Sequence, residues 1–308
     1  MKAVITGATG AIGMALLELL EKNKIETLVL CRNESSRAER IMESKYIKKA
    51  DCSLDELNSF KADSEYDVFF HFAWDGTFGE TRDDLYLQAD NVKYTLDAVN
   101  LAKRLGCKTF IGAGSQAEYG KCEGIVSPET PTFPEMGYGI AKLSAGLLSR
   151  EEAHKIGVRH IWVRIFSIYG PYDTDRTMVM STVRKLLSGE TPAFTPAEQM
   201  WDYLYSKDAA RAFLCLAEKG RDGAVYCLGS GSARPLKDYI TEIRDEIDKD
   251  AALDIGAIPY NLKQTMFLQA DISKLIEDTG FSPEYSFKDG IRETVAFAKD
   301  FSSKERRN

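Results

Sequence analysis

Three side chains with chemistry to offer lie on two short stretches of the chain. In GSQAEYG, residues 114–120, Ser115 sits on a glycine-flanked turn just after an apolar run. In YGIAK, Tyr138 and Lys142 are four apart, which places both on one face of a helix. A lysine ammonium beside a tyrosine favours the phenolate and draws the phenol pKa toward neutrality. Such a pair can trade a proton with a hydroxyl or carbonyl while a hydride moves at the same carbon. Alone, the spacing is common and describes a surface helix pair equally well. It gains force from lying 23 residues after Ser115 and downstream of a glycine loop. Gln116 and Ala117 follow the serine, and neither an amide nor a methyl group serves as a proton-transfer acid or base. Glu118 is one residue out of step, which on a strand-end turn sends its side chain the other way.

The glycine loop is TGATGAIG, Thr6–Gly13. Gly7 permits the tight turn, Gly10 lets the backbone approach a pyrophosphate, and Gly13 allows close helix–strand packing. Thr9, Ala11 and Ile12 complete the loop, and the helix N-terminus behind it faces the anion. This is a dinucleotide-binding pattern in its proper strand–turn–helix context. About 20 residues on, an acid would hold the ribose 2′-hydroxyl of NAD. The second strand instead ends at Cys31 with Arg32 next, and Ser35 and Arg37 follow. An arginine beside the ribose suits a 2′-phosphate, so NADP is expected and NAD is the alternative. The competing reading makes Arg32 a solvated loop residue and Glu34 a displaced ribose ligand.

These residues need elements to hold them. Strands are expected at Lys2–Thr6, Thr27–Cys31, Tyr46–Ile47, Val68–Phe72, Thr109–Ala113, His160–Ile165 and Val225–Leu228. Helical periods cover Ile12–Glu21 and Asn91–Leu105. Continuous apolar strands alternating with helices mean an α/β fold, a doubly wound parallel sheet covered on both faces. After Tyr169–Asp173 the alternation weakens and prolines appear. Residues 1–171 plus about 201–228 therefore read as the dinucleotide-binding domain, and 172–200 plus about 229–308 as an interleaved substrate lobe. The tail SSKERRN is expected to fray.

Composition narrows the partners. A net charge of −7 argues against nucleic acid and anionic membrane surfaces. No apolar run is long enough to span a bilayer, and the start MKAVITGATG reads as a strand entering a glycine loop, not a signal peptide. Six scattered cysteines without a CxxC pair and three histidines without ligand spacing point to no metal, no disulfide framework and a reducing cytoplasm.

Together TGATGAIG, DCS (Asp51–Ser53), HFAW (His71–Trp74), NV (Asn91–Val92), GSQAEYG, YGIAK, RIFSIYGP (Arg164–Pro171) and WDYLYSKDAARA (Trp201–Ala212) carry a resemblance over nearly the whole chain. The chain resembles the extended short-chain dehydrogenases/reductases of the nucleotide-sugar epimerase, dehydratase and reductase family. The resemblance implies a catalytic set of Ser115, Tyr138 and Lys142, with Lys142 also on the nicotinamide ribose. It implies Asp51 and Cys52 beside the adenine, Ala73 in the cofactor cleft, and substrate contacts from the loop after RIFSIYG, including Ser167. Trp74, Tyr169, Tyr172 and Trp201 are candidates to stack on a sugar or base, and Ser115 and Gln116 to contact the substrate. It also implies a homodimer built on two helices from each subunit, here around Leu96, Val99 and Leu147.

Dehydratases of this family carry Asp and Glu after the catalytic hydroxyl, where this chain has Gln116 and Ala117. Elimination is therefore disfavoured, and reversible hydride transfer remains. Trp201 and Gln269 stand where many relatives place arginines that grip the diphosphate, leaving Arg176 and Arg234 as candidate cations. The C-terminal half is similar to CDP-paratose and CDP-abequose synthases, which implies reduction of a 4-keto-6-deoxy sugar nucleotide at carbon 4 with NADPH. A nucleotide-sugar 4-epimerase retaining NAD is the second reading. A non-catalytic cofactor sensor is the third, and the intact catalytic set argues against it.

Overall fold

The computed structural model describes residues 1–62, 64–261 and 264–305. Seven parallel strands form the central sheet: Ala3–Thr6, Thr27–Cys31, Ile47–Asp51, Val68–His71, Thr109–Ser115, Arg159–Ile165 and Ala224–Leu228. The helices are α1 (Ala11–Lys22), α2 (Leu85–Arg104), α3 (Gly137–Ile156), α4 (Met178–Leu187), α5 (Ser206–Lys219), α6 (Leu236–Ile247), α7 (Ser273–Thr279) and α8 (Phe287–Glu305). All seven expected strands are present. The third runs Ile47–Asp51, longer than the Tyr46–Ile47 expectation, because Lys48 and Lys49 masked its apolar signal. The second expected helix begins earlier, at Leu85, where the Asp84 carboxylate caps the Tyr86 and Leu87 N–H groups. Part of the tail expected to fray continues α8 through Glu305, and residues 306–308 lie outside the described residues.

Alternation along the strands builds two cores. Phe69 and Phe110 face α2 with Val4, Ala98, Val99 and Ala102. Phe70 and Ile111 face α1 and α5 with Leu16, Leu20 and Phe213. A sheet buried on both faces needs apolar residues at every position, which is why Ala3–Thr6 and Val68–His71 read as unbroken runs. Helices α1 and α5 cover one face and α2 and α3 the other, so the fold is doubly wound.

Strand order places Ala3–Thr6 between Thr27–Cys31 and Val68–His71, with the chain running outward in both directions from there. That reversal is the topological switch point, and ligands of such sheets bind at the carboxyl ends beside it. A four-stranded sheet joins Arg234–Pro235, Met200–Trp201, Phe267–Ala270 and Gly124–Val126. Ser167–Tyr169 pairs with Tyr203–Tyr205, and Ala193–Phe194 with Asp254–Ile255. A third core under these pieces joins α4, α6 and α8 through Val179, Val183, Ile243, Ile291 and Val295. Among the described residues, no helix is long and apolar enough to cross a membrane.

Candidate active site

The glycine loop closes the Ala3–Thr6 strand and opens α1. Gly7 has φ 71°, and a Cβ there would lie 2.4 Å from the Ala73 backbone nitrogen. A Cβ on Gly13 would lie 2.5 Å from Ala8 Cα, so its absence sets the helix against the loop. Gly10 differs: a Cβ there would meet no atom within 4 Å. Its open side belongs to the cleft that Gly10, Ala11, Ile12 and Gly13 line. Gly10 caps α1 without a side-chain bond, and no acid occupies the first turn. The free N–H groups and the helix dipole therefore face empty space that suits a pyrophosphate.

Two cavities meet at this loop, and Gly7 and Trp74 line both. The smaller, about 240 Å³, is lined by Thr9, Arg32, Ser35, Arg37, Cys52, Ser53, Ala73 and Tyr94 among others. Arg32 and Arg37 are exposed and make no ion pair among the described residues, although the Asp55 carboxylate lines the same cavity and feels the Arg32 charge. Asp51 departs from expectation. Its carboxylate accepts the Asn33 N–H at 2.9 Å, tying down the loop, while Cys52 is the wall residue. Glu34 is exposed and absent from the lining.

The larger cleft, about 620 Å³, gathers Ser115, Gln116, Tyr138, Lys142, Trp74, Ser167 and Trp201. Ser115 ends its strand and caps the single-turn 3-10 helix Gln116–Tyr119, its hydroxyl accepting the Ala117 N–H at 3.1 Å. Glu118 completes this capping box by accepting the Ser115 N–H at 2.8 Å. The Glu118 carboxylate is fully buried, accepts from Trp162 Nε1 at 2.9 Å and pairs with Arg164 Nε at 2.7 Å. It faces inward and positions the serine turn. Gln116 Oε1 is buried and has no hydrogen-bond partner.

Tyr138 and Lys142 share one face of α3. Burial raises the Tyr138 pKa, while a Ser115 hydrogen bond and the Arg82 charge oppose the rise. The tuning cation differs from the one the spacing implied. The Arg82 guanidinium lies 4.6 Å from the Tyr138 ring centroid, whereas Lys142 Nζ lies 5.8 Å away. Lys142 Nζ donates to the Ala113 carbonyl at 2.7 Å and sits 3.6 Å over the Trp74 ring. Burial pushes its pKa down to about 7, partly offset by Glu118.

Segment 74–83 hangs from α2. Gln88 accepts from Trp74 Nε1 at 2.8 Å and donates to the Gly76 and Thr81 carbonyls, each at 2.9 Å. Asn91 bonds both backbone groups of Asp75, which explains the asparagine of the NV motif. Sequence reasoning missed Arg82 and Gln88. The only available signal was a polar run, ETRDD, between two motifs.

At the far end Trp201 Nε1 donates to Ser167 Oγ at 2.8 Å, aligning two expected substrate residues. Asp173 lines the same end; burial lifts its carboxyl to about 6, opposed by bonds from Thr177 and Thr174. Tyr172 is a correction: it occupies a separate pocket, its ring 4.5 Å from Phe297 and 5.6 Å from the Arg40 guanidinium. Tyr169 is buried against Phe287, at 4.7 Å between centroids, and lines neither cavity. Arg234 is paired with Glu242 at 2.7 Å and lies over Tyr239, outside the cleft. Gln269 is spent on the Gly231 carbonyl and the Ala233 N–H. Among the described residues no cluster of His, Cys, Asp and Glu could hold a metal ion.

Residues 3–229 match the NAD dependent epimerase/dehydratase family. The ADP-L-glycero-D-manno-heptose-6-epimerase of Nitratidesulfovibrio vulgaris is 24% identical over 315 residues, covering 95% of this chain and 96% of that protein. The UDP-N-acetylglucosamine 4-epimerase of Methanobrevibacter ruminantium M1, solved with UDP-N-acetylmuramic acid, superposes with a TM-score of 0.87 at 21% identity over 97% of this chain and 98% of that one. The dTDP-glucose 4,6-dehydratase of Bacillus anthracis, solved in complex with NAD, superposes with a TM-score of 0.82 at 18% identity, each chain covered to 98%. With this match across most of its length and a glycine-loop cleft that joins Ser115, Tyr138 and Lys142, the chain belongs to the NAD dependent epimerase/dehydratase family of enzymes.

Proposed function

We propose that the protein performs hydride transfer at one carbon of a nucleotide-linked sugar, with NADP as the cofactor and no elimination step. The supporting observation is the turn after Ser115: Gln116 and Ala117 border the cleft where an elimination would need an acid and a base, and Glu118 is consumed by Arg164 and Trp162. The nicotinamide supplies the hydride donor or acceptor when bound. Tyr138 moves the proton at the sugar oxygen, and Ser115 orients that oxygen and the phenol. Lys142 stands behind Tyr138, buried, to meet the nicotinamide ribose once its ammonium leaves the Ala113 carbonyl. Arg32, Ser35 and Arg37 surround the cavity where a 2′-phosphate would lie, which supports NADP over NAD. Reduction of a 4-keto-6-deoxy sugar at carbon 4 is the first reading.

Epimerisation at carbon 4 is the second reading. The same residues serve it, and two of the similar proteins are named as nucleotide-sugar epimerases. We further propose a division into a dinucleotide domain (1–171 plus about 201–228) and a substrate lobe, with the cleft between them. A homodimer through α2 and α3 would cover exposed Leu85, Ile140, Leu147 and Leu148, whereas Val99, expected at that interface, is wholly inside the chain's own core. Six free cysteines fit a reducing cytoplasm.

The test supplies nucleotide hexoses and seeks a 4-keto-6-deoxy chromophore. A nucleotide-linked 4-keto sugar is then supplied with NADPH and absorbance at the reduced nicotinamide band is followed. Oxidation of NADPH with no chromophore is expected. Chromophore formation from the hexose refutes the hydride-only reading.

A further inference from the structure

Arg82 lines the cleft with its guanidinium 4.6 Å from the Tyr138 ring centroid, and it carries no ion pair among the described residues. Its Nε is buried without a hydrogen-bond partner. The acids around it are otherwise engaged. Asp83 accepts the Gly137 N–H at 3.1 Å, Glu118 is paired with Arg164, and Asp173 takes the Thr174 N–H and the Thr177 hydroxyl. Gln88 and Asn91 fix the segment that carries Arg82, so the guanidinium is presented rather than loose. A buried guanidinium donor without an acceptor is unfavourable, and its planar fork matches a carboxylate with two parallel bonds. On the same cleft wall Gln116 Oε1 is a buried acceptor without a donor.

We propose that Arg82 binds a carboxylate on the sugar next to the reacting carbon, so that the substrate class is a nucleotide-linked uronate. This rests on the nucleotide-sugar reading above and replaces the 6-deoxy sugar within it. The reacting oxygen belongs to Ser115 and Tyr138. A cation stacked on the tyrosine ring adjoins the substituent on carbon 5, which neighbours carbon 4. The diphosphate leaves carbon 1, on the opposite side of the pyranose ring. A 6-deoxy sugar offers a methyl group at this place and leaves the guanidinium donors empty. A carboxylate satisfies them, and Gln116 takes one of the sugar hydroxyls.

The experiment measures binding to the NADP-loaded protein by calorimetry, using paired nucleotide hexoses and nucleotide hexuronates that carry the same base, uridine, adenosine, cytidine and thymidine in turn. Wild type, Arg82→Gln and Arg82→Lys are compared, and the NADP affinity of each reports that the fold is intact. The expected result is a uronate preferred over its hexose by about 10-fold or more in wild type. That preference is lost in Arg82→Gln and partly kept in Arg82→Lys, with hexose affinity unchanged. Equal weakening of hexose and uronate by Arg82→Gln assigns the arginine to the diphosphate and overturns the proposal. A wild type that prefers the hexose, or has no preference, overturns it as well. Failure of every nucleotide sugar to bind overturns the nucleotide-sugar reading itself, and the proposal with it.

Discussion

Replacing Glu118 by glutamine tests whether the serine turn is held by a buried ion pair. The Glu118 side chain is fully buried and that of Arg164 is 7% exposed. Glutamine matches the shape but loses the charge. Its single amide oxygen can still accept the Ser115 and Trp162 N–H groups, which leaves the amide NH₂ facing the Arg164 donor, now 2.7 Å from a carboxylate oxygen. Removing one partner of a buried pair costs about 3–5 kcal/mol, because the other charge stays desolvated and uncompensated. Arg164 keeps its bond to the Pro128 carbonyl and its place 4.6 Å from the Tyr119 ring centroid, so the lower end of that range, about 3 kcal/mol, is expected. The assay is urea unfolding followed by tryptophan fluorescence, which Trp162 reports directly. Adding Arg164→Met removes the stranded charge, and the double variant should regain about 1 kcal/mol or more over Glu118→Gln. A single-variant loss under about 1 kcal/mol, with no recovery in the double variant, refutes the argument that this pair holds the turn.

Three further outcomes are expected. Tyr138→Phe keeps the ring under Arg82 and beside Trp74 but removes the proton donor, so turnover should fall at least about 100-fold with cofactor affinity nearly unchanged; near wild-type steady-state rates contradict the assignment. Arg32→Asp should weaken NADPH by about 1.5–3 kcal/mol, less as solvent screens the exposed site, and spare NADH; titrations of both cofactors that show one unchanged preference would mean Arg32 does not meet the 2′-phosphate. Lys142, held at about 7 by burial, should make stability pH-dependent. Between about pH 7 and 10.5 the unfolded chain binds one more proton than the folded chain, so unfolding free energy rises with pH by up to about 1.4 kcal/mol per unit. The penalty of burying this lysine is full below that window and gone above it. Lys142→Met should lack the rise, and a wild-type-minus-variant difference in urea midpoint that stays flat from pH 7 to about 10 removes the assignment.

Local rules were enough for the frame of this protein. The strand–turn–helix at Thr6–Gly13 was legible because Gly7 and Gly13 answer constraints set within a few residues and one neighbouring strand. Unbroken apolar runs announced a sheet buried on both faces, and the four-residue spacing of Tyr138 and Lys142 put them together on α3. The inward turn of Glu118 was anticipated from strand alternation, but its cause is different: residues 116–119 form a 3-10 turn whose capping box brings Glu118 back onto the Ser115 N–H. What the sequence could not carry were contacts closed over long separations. Glu118 meets Arg164 across 46 residues, and Tyr203 and Ser167 share a two-stranded ladder that no local pattern encodes. Tyr172 had the composition of a stacking residue, yet the backbone turns it onto Phe297 instead of the cleft. Arg234 had the charge for a diphosphate, but Glu242 on α6, eight residues on, takes it. The tuning of Tyr138 passed from the sequence neighbour Lys142 to Arg82, because burial fixes the lysine on the Ala113 carbonyl while a segment hung from Gln88 delivers the guanidinium to the ring. Periodicity and turn chemistry act over a few residues, whereas charge finds its partner through space, and only the tertiary structure sets those distances.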